Sequence, residues 1–470
     1  MSRALPQGWA VVSLNEISQI NPRHPKDLDD SISVSFAPMA ALSESKPQFQ
    51  FLEERPLGEV RKGFTHFAEG DVLFAKITPC MENGKGAVAI GIRNGLGCGT
   101  TELHVIRPLG EIEPYYLYRF LAQPSVRRAA KDNFTGTAGQ ARVPTSFIEQ
   151  LEVPIAPLAE QRRIVAKLEE LFSKVDACKQ RLAKIPMLLK RFRQSVLAAA
   201  CSGRLTSDWR EQHESGNEAP SLPPGWRWSS VEELLPPGGI FDGPFGSNLK
   251  TSDYTDSGVR VVRLENIGQL RFIMEKKTFI SQEKFETLVK HTVGAGDIVF
   301  ASFIDEEIRA CVLPCLPTKA IAKADCFCLR PIPMLVDRRY LVLQLVSRES
   351  YERLFENVHG ATRPRINTTQ IRKLEVRVCP LPEQQEIVRR VETFFALADQ
   401  IEARLAKAQA HTDKLTESLL FIAFRGKLVP QCLTDEHASA LLDRIRQINK
   451  TEKTDCRRIR RGTNIRGIIE

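Results

Sequence analysis

Two sets of side chains stand out for what they could bind. Lys76, Thr78, Asn83, Lys85, Thr137, Gln140 and Arg142 form the first; Ser247, Asn248, Lys250, Ser302, Arg309, Thr362, Arg363 and Arg365 form the second. In the major groove of duplex DNA, Arg and Lys suit guanine, Asn and Gln suit adenine, and small hydroxyls suit either. Many of these residues fall in Gly-containing loops, such as Asn133-Phe134-Thr135-Gly136-Thr137-Ala138-Gly139-Gln140-Ala141-Arg142 and His359-Gly360-Ala361-Thr362-Arg363-Pro364-Arg365. Loops supply such side chains readily when a rigid lobe holds them. The alternative for each, taken alone, is a solvated loop residue. Several would grip phosphate and not a base, because most protein–DNA hydrogen bonds go to the backbone.

Catalytic constellations are missing. Asn21-Pro22-Arg23-His24 begins like the Asn-Pro-Pro-aromatic loop of amino-methyltransferases but lacks the second Pro and the aromatic. No Gly-rich strand-to-helix turn offers an S-adenosylmethionine cradle, and no Walker-type phosphate loop occurs. Gly243 and Gly246 have no lysine to meet a phosphate and read as a turn, and no carboxylate–lysine spacing suggests a nuclease. Cys311 with Cys315 and Cys326 with Cys328 fit no common zinc spacing, so the eleven scattered cysteines read as buried thiols, with neither a metal site nor a disulfide framework. A binding chain without catalysis is the leading reading. An unrecognised methyltransferase or nuclease centre, or a scaffold whose lobes bind protein, are the alternatives.

The net charge of +9 and pI near 9.0 are compatible with a polyanionic partner. A length of 470 residues, 42% apolar and 26% charged, suits two to four ordinary domains. No run approaches the roughly 18 apolar residues of a membrane span, and Met1 to Trp9 has no secretory core. The expected location is cytoplasmic.

The elements that would position the two sets are written twice. Pro157-Leu158-Ala159-Glu160-Gln161 returns as Pro380-Leu381-Pro382-Glu383-Gln384, an offset of 223 (383 − 160). The same offset carries Ile164-Val165 to Ile387-Val388, Phe172 to Phe395, Asp176 to Asp399 and Gly203 to Gly426. Gly70-Asp71-Val72-Leu73-Phe74-Ala75 echoes Gly296-Asp297-Ile298-Val299-Phe300-Ala301, and Leu5-Pro6-Gln7-Gly8-Trp9 echoes Leu222-Pro223-Pro224-Gly225-Trp226. Each half reads as a mixed lobe followed by a long helix. Strands are expected over 71–77, 86–92 and 102–107, then 259–264, 297–303 and 326–330. Amphipathic helices are expected over 114–131 and 337–357, and closing strands at 151–153 and 374–376.

The long helices carry an apolar seam in steps of four and three. The first has Ile164, Leu168, Leu171, Val175, Cys178, Leu182, Ile185, Leu189, Phe192, Val196 and Ala199. The second has Ile387, Val391, Phe394, Ala398, Ile401, Leu405, Ala408, Thr412, Leu415, Leu419 and Ile422. Such a period sustained over about 54 Å is that of a coiled coil, so the two stripes should bury each other; packing of each helix on its own lobe is the alternative. Pro157 and Pro380 mark helix starts and Gly203 and Gly426 helix ends. Pro186 should kink the first helix without ending it. The divisions expected are a lobe at 1–156, a spacer helix at 157–206, a second lobe at 207–379, a second spacer at 380–430, and a basic tail at 431–470, solvated from Lys450 to Arg466. An antiparallel pair would set the lobes at opposite ends of a rod, related by a pseudo-two-fold axis.

The paired Pro-Leu-x-Glu-Gln starts resemble the repeated spacers of the specificity subunits of type I restriction-modification enzymes. So do Ile185-Pro186 with Lys190-Arg191-Phe192-Arg193-Gln194, Gly203-Arg204-Leu205-Thr206, and Phe424-Arg425-Gly426-Lys427-Leu428-Val429. The Leu-Pro-x-Gly-Trp openings and Asp242-Gly243-Pro244-Phe245-Gly246-Ser247-Asn248-Leu249 look like recurrent pieces of that family's target-recognition domains. The resemblance implies a non-catalytic, α/β chain in which each lobe reads one half of a split DNA sequence. It further implies spacers that fix the gap and dock two adenine methyltransferase (modification) subunits, with motor-nuclease (restriction) subunits joining. S-adenosylmethionine, ATP and Mg would then belong to those partners.

Overall fold

The computed structural model describes residues 5–137, 140–213, 222–356 and 365–448. Two compact units emerge: Met1–Ala183 with Lys407–Glu470, and Lys184–Ala406. Each unit therefore takes the start of one long helix and the end of the other.

In the first unit, one four-stranded sheet runs in the order Ser18–Ile20, Leu103–Pro108, Val72–Ala75, Gly86–Val88. A second runs Glu53–Pro56, Ser33–Ala37, Leu96–Gly99, Thr65–Ala68, with its two central strands parallel. Ala10–Ser13 pairs with the closing strand Glu152–Ile155. The strand Val72–Ala75 is buried at every position because it has a core on each face. Val72 and Phe74 enter the cluster with Leu117 and Ile164, while Leu73 and Ala75 enter the one with Phe67 and Leu103. Alternation of side chains along a strand makes that division obligatory.

The second unit repeats the plan. Its sheets run Ile240–Phe241, Cys326–Leu329, Ile298–Ala301, Ala310–Val312, and Tyr254–Thr255, Phe279–Ile280, Val259–Val262, Ala320–Ala322, Thr292–Val293. Again one central pair, Val259–Val262 with Ala320–Ala322, is parallel, and Arg227–Ser230 pairs with Glu375–Val378. Ile298 and Phe300 face one core, Val299 and Ala301 the other.

Each helix expected after the sheets is two helices. Pro114–Leu121 stops before Pro124–Asp132, where the proline lacks the amide needed to continue. Arg338–Leu345 stops before Arg348–Phe355, whose amide at Ser350 is capped by Ser347 Oγ (3.2 Å). Leu117, Phe120, Leu121 and Val126 are all buried.

The long helices span Leu158–Cys201, unbroken through Pro186, and Leu381–Ala423. They pair antiparallel within each unit. In the first, Ile164 and Leu168 share a core with Leu420, Ala423 and Phe424, and Lys179 Nζ meets Asp413 Oδ1 at 2.9 Å. In the second, Val196 and Leu197 share a core with Ile387 and Val391, Phe192 meets Phe394 edge-on, and Arg193 bridges Asp399 (2.5 Å) and Glu402 (2.6 Å). The helix ends also pack on the lobe of the same unit, so both packing alternatives hold at once. Along the seam Val175 and Leu405 are buried, Leu171, Leu182 and Phe394 are half-buried, and Ile401 is 37% exposed.

One buried tether joins lobe to helix in both units. Trp9 Nε1 donates to Glu160 Oε2 (3.0 Å), and Trp226 Nε1 donates to Glu383 Oε2 (2.9 Å). Glu160 and Glu383 are fully buried. The neighbouring glutamines lock the helix starts: Gln161 Nε2 donates to Ala156 O (2.8 Å) and Gln384 Nε2 to Cys379 O (2.7 Å). Gly203 is confined by Trp226, since a Cβ there would sit 2.9 Å from the indole. The repeated Leu-Pro-x-Gly-Trp and Pro-Leu-x-Glu-Gln runs are thus two ends of one contact.

Residues 431–448 of the expected basic tail fold against the first unit. A helix over 438–448 buries Ala438, Leu441, Leu442 and Ile445 in the core of the first unit, and Arg163 pairs with Asp435 at 2.5 Å. The rest of the expected tail lies outside the described residues. Among the described residues no helix is long and apolar enough to cross a membrane.

Candidate nucleic-acid interface

In the first lobe the loop before Pro144 is stitched to the end of the central strand. Ile77 and Arg142 bridge as on antiparallel strands, Thr78 N donates to Ala141 O (3.1 Å), and Val143 N donates to Lys76 O (2.9 Å). This brings Lys76, Thr78, Gln140 and Arg142 together. Arg142 is held bidentately by Glu102, Nε to Oε2 at 2.8 Å and Nη2 to Oε1 at 2.9 Å, while its Nη1 donates to Gln140 O (3.0 Å). The guanidinium holds the Glu102 carboxyl below its usual range. Thr137 and Gln140 are exposed. Thr78 Oγ1 donates to Glu82. Asn83 and Lys85 sit farther along the same turn, reaching Glu44 Oε1 (3.1 Å) and Met39 O (3.4 Å).

Beneath the loop lies buried His104. Its Nε2 lies 2.8 Å from Val143 O and its Nδ1 3.3 Å from Asn21 Nδ2. A carbonyl only accepts and an amide nitrogen only donates, so the ring carries its proton on Nε2. Asn21, in the run that resembled a methyltransferase loop, is thereby occupied in structure.

The second lobe builds a comparable cluster around Asp325. Arg365 pairs with Asp325, Ser302 Oγ donates to Asp325 Oδ1 (3.1 Å), and Ile366 N donates to Ser302 O (2.9 Å). Ser302 is fully buried, so it supports the loop from below and does not present its hydroxyl. Arg365 lies 5.6 Å from the ring of Phe245, itself 49% exposed, and 5.9 Å from that of Phe303. Asn248 and Lys250 are exposed on the turns after Phe245, and Arg309 Nη1 donates to Leu264 O (3.1 Å). Thr362 and Arg363 lie outside the described residues, and the side chain of Ser247 does too.

Asp242 anchors the Phe245 turn. Its Oδ1 accepts from Gly243 N (2.7 Å) and Asp325 N (3.0 Å), and its carbonyl lies 2.8 Å from His291 Nδ1. Only glycine fits at 243, where a Cβ would meet the Lys323 carbonyl carbon at 2.1 Å. Burial pushes the Asp242 carboxyl up from 3.8 to about 6. The folded lobe therefore keeps a proton that the unfolded chain sheds. Its contribution to stability is gained as pH falls through about 6 and lost as pH rises through it. The expected result is that the wild-type melting temperature, relative to that of Asp242→Asn, rises between pH 7 and pH 5. A difference flat across that window would refute the assignment.

No motif in the sequence marked Glu102 or Asp325 as part of a site, while Asp242 and Phe245 stood only in the run that resembles target-recognition domains. The offset could have found the first two, since 325 − 102 is 223, the same as 365 − 142. Cys311, Cys326 and Cys328 are buried, with the Cys311 thiol pushed up to about 12, while Cys315 is exposed. No group of metal-ligating side chains occurs among the described residues.

The family model described as "Type I restriction modification DNA specificity domain" matches residues 6–187 and 250–409. The EcoAI specificity subunit of Escherichia coli is 26% identical, over 88% of this chain and 83% of its own. The StySPI specificity subunit of Salmonella potsdam is 31% identical, over 75% of this chain and 74% of its own. The crystal structure of the HsdS subunit from Thermoanaerobacter tengcongensis shares the fold, with a TM-score of 0.64 at 21% identity, over 91% of this chain and 99% of that one.

Proposed function

This chain belongs to the type I restriction-modification DNA specificity family, and from that premise we propose that its two lobes each read one half of a split DNA target. The long helices then set the distance between the halves and dock two methyltransferase subunits, with motor-nuclease subunits joining for restriction. The chain brings recognition only. S-adenosylmethionine, ATP and Mg act on the partners, and the complex works in the cytoplasm. The observation that carries the reading is the repetition itself. One sheet plan and one Trp–Glu tether recur in both lobes, and one arginine–carboxylate pair recurs at the 223-residue offset, whereas the loops around them differ. Two copies of one scaffold with different loops suit two different short sequences.

Mapping methylated adenines across the genome, with and without this chain, tests it. The expected outcome is a two-part motif lost on deletion. An unchanged methylation map, or a continuous motif, would overturn the proposal.

A further inference from the structure

Two arginine–carboxylate pairs repeat between the lobes, and they differ in kind. Arg107 with Asp71 and Arg330 with Asp297 close turns, because each carboxylate also accepts a turn amide: Ala68 N at 2.7 Å and Gly294 N at 2.9 Å. Arg142 with Glu102 and Arg365 with Asp325 close no such turn. They stand at the loop ends, with arginine side chains 41% and 47% exposed over carboxylates that are each 22% exposed. The acid lies beneath and the guanidinium faces outward.

The donor arithmetic at Arg142 points further. A guanidinium has five N–H donors. Glu102 takes one from Nε and one from Nη2, and Gln140 O takes one from Nη1. What remains is one donor on each terminal nitrogen, the fork that matches guanine O6 and N7. A neighbouring carboxylate also offsets the positive charge and repels phosphate, which weakens sequence-blind attraction to the backbone while leaving directional donors in place. Lobe 2 keeps the same pair although Lys76 of lobe 1 is replaced by buried Ser302 at the matching strand end.

We propose that Arg142 and Arg365 are the guanine-reading forks of the two lobes, and that Glu102 and Asp325 are the positioning residues that aim them. The inference rests on the DNA-reading function proposed above and names the base class each lobe reads at one position. It makes the carboxylates determinants of specificity: their removal frees an arginine to bind phosphate anywhere.

The test uses the full chain assembled with its modification subunits on a duplex library randomised over the target, with methylated products sequenced. Arg142→Ala and Glu102→Gln are each expected to relax guanine preference at one position of one half-target, about tenfold or more, leaving the other half unchanged. Arg365→Ala and Asp325→Asn should do the same in the other half. Arg142→Lys keeps the charge and the partner but not the fork, so it should relax the same position. Uniform weakening at every position, or an Arg142→Lys variant with wild-type base preference, would overturn the inference. A wild-type complex that selects no two-part motif would overturn the DNA-reading function itself, so the two failures are distinct.

Discussion

A complex whose first long helix carries four extra residues between Lys179 and Ile185 is expected to methylate a target with a different gap, or to lose methylation. Four residues add about 6 Å of helix, a little under two base-pair steps. They also turn the helix by slightly more than one revolution, so the apolar seam stays nearly in phase. The Arg193 bridges to Asp399 and Glu402 and the shared core of Val196 with Val391 fix one end, and the shared core of Leu168 with Leu420 fixes the other. Methylation sequencing on duplexes with gaps varied one base pair at a time would read the shift. The original gap, retained at full efficiency, would contradict the spacer role.

Removing the Glu383 side chain is expected to cost the second unit about 3–5 kcal/mol, because it strands a buried cation along with two other donors. Glu383 is fully buried and accepts from Trp226 Nε1 (2.9 Å), Thr206 Oγ1 (2.7 Å) and Arg210. Arg210 is itself only 12% exposed, so water compensates poorly for the lost partner. Denaturant unfolding of Glu383→Ala should show the loss in full, with a smaller one for Glu383→Gln, which keeps an acceptor. Glu160 offers the internal contrast. Its partners are Trp9 (3.0 Å) and the neutral amide of Gln431 (2.6 Å), and burial pushes its carboxyl up. Glu160→Gln should therefore cost less than Glu383→Gln. Equal costs would show that Arg210 contributes nothing to the tether.

Much of this architecture could be read from residue order, and the reasons for the gaps are specific. The long helices announced themselves through a period held from Ile164 to Ala199, which no tertiary effect had to supplement. The strand Val72–Ala75 was legible because a core on both faces leaves a plain apolar run. No helix is predicted over 438–448 although Ala438, Leu441, Leu442 and Ile445 follow helical spacing, because so short an apolar stripe stands within a charged run. Glu160 and Glu383 were visible as repeated letters, but their partners lie 151 and 157 residues away in sequence. The candidate site was legible by residue type and not by pairing. Arg142 fits a groove-reading role on composition, while Glu102, 40 positions earlier, reads only as the start of a strand.

The most direct test of two equivalent reading heads is the motif methylated by a complex in which lobe 2 has been replaced by a second copy of lobe 1. The graft is structurally reasonable, since the Trp9 of the inserted copy would fall on Glu383 where Trp226 now sits. The expected result is a symmetric target, with the first half-sequence present twice as an inverted repeat across the original gap. An assembled, active complex that still methylates the original asymmetric motif would contradict it.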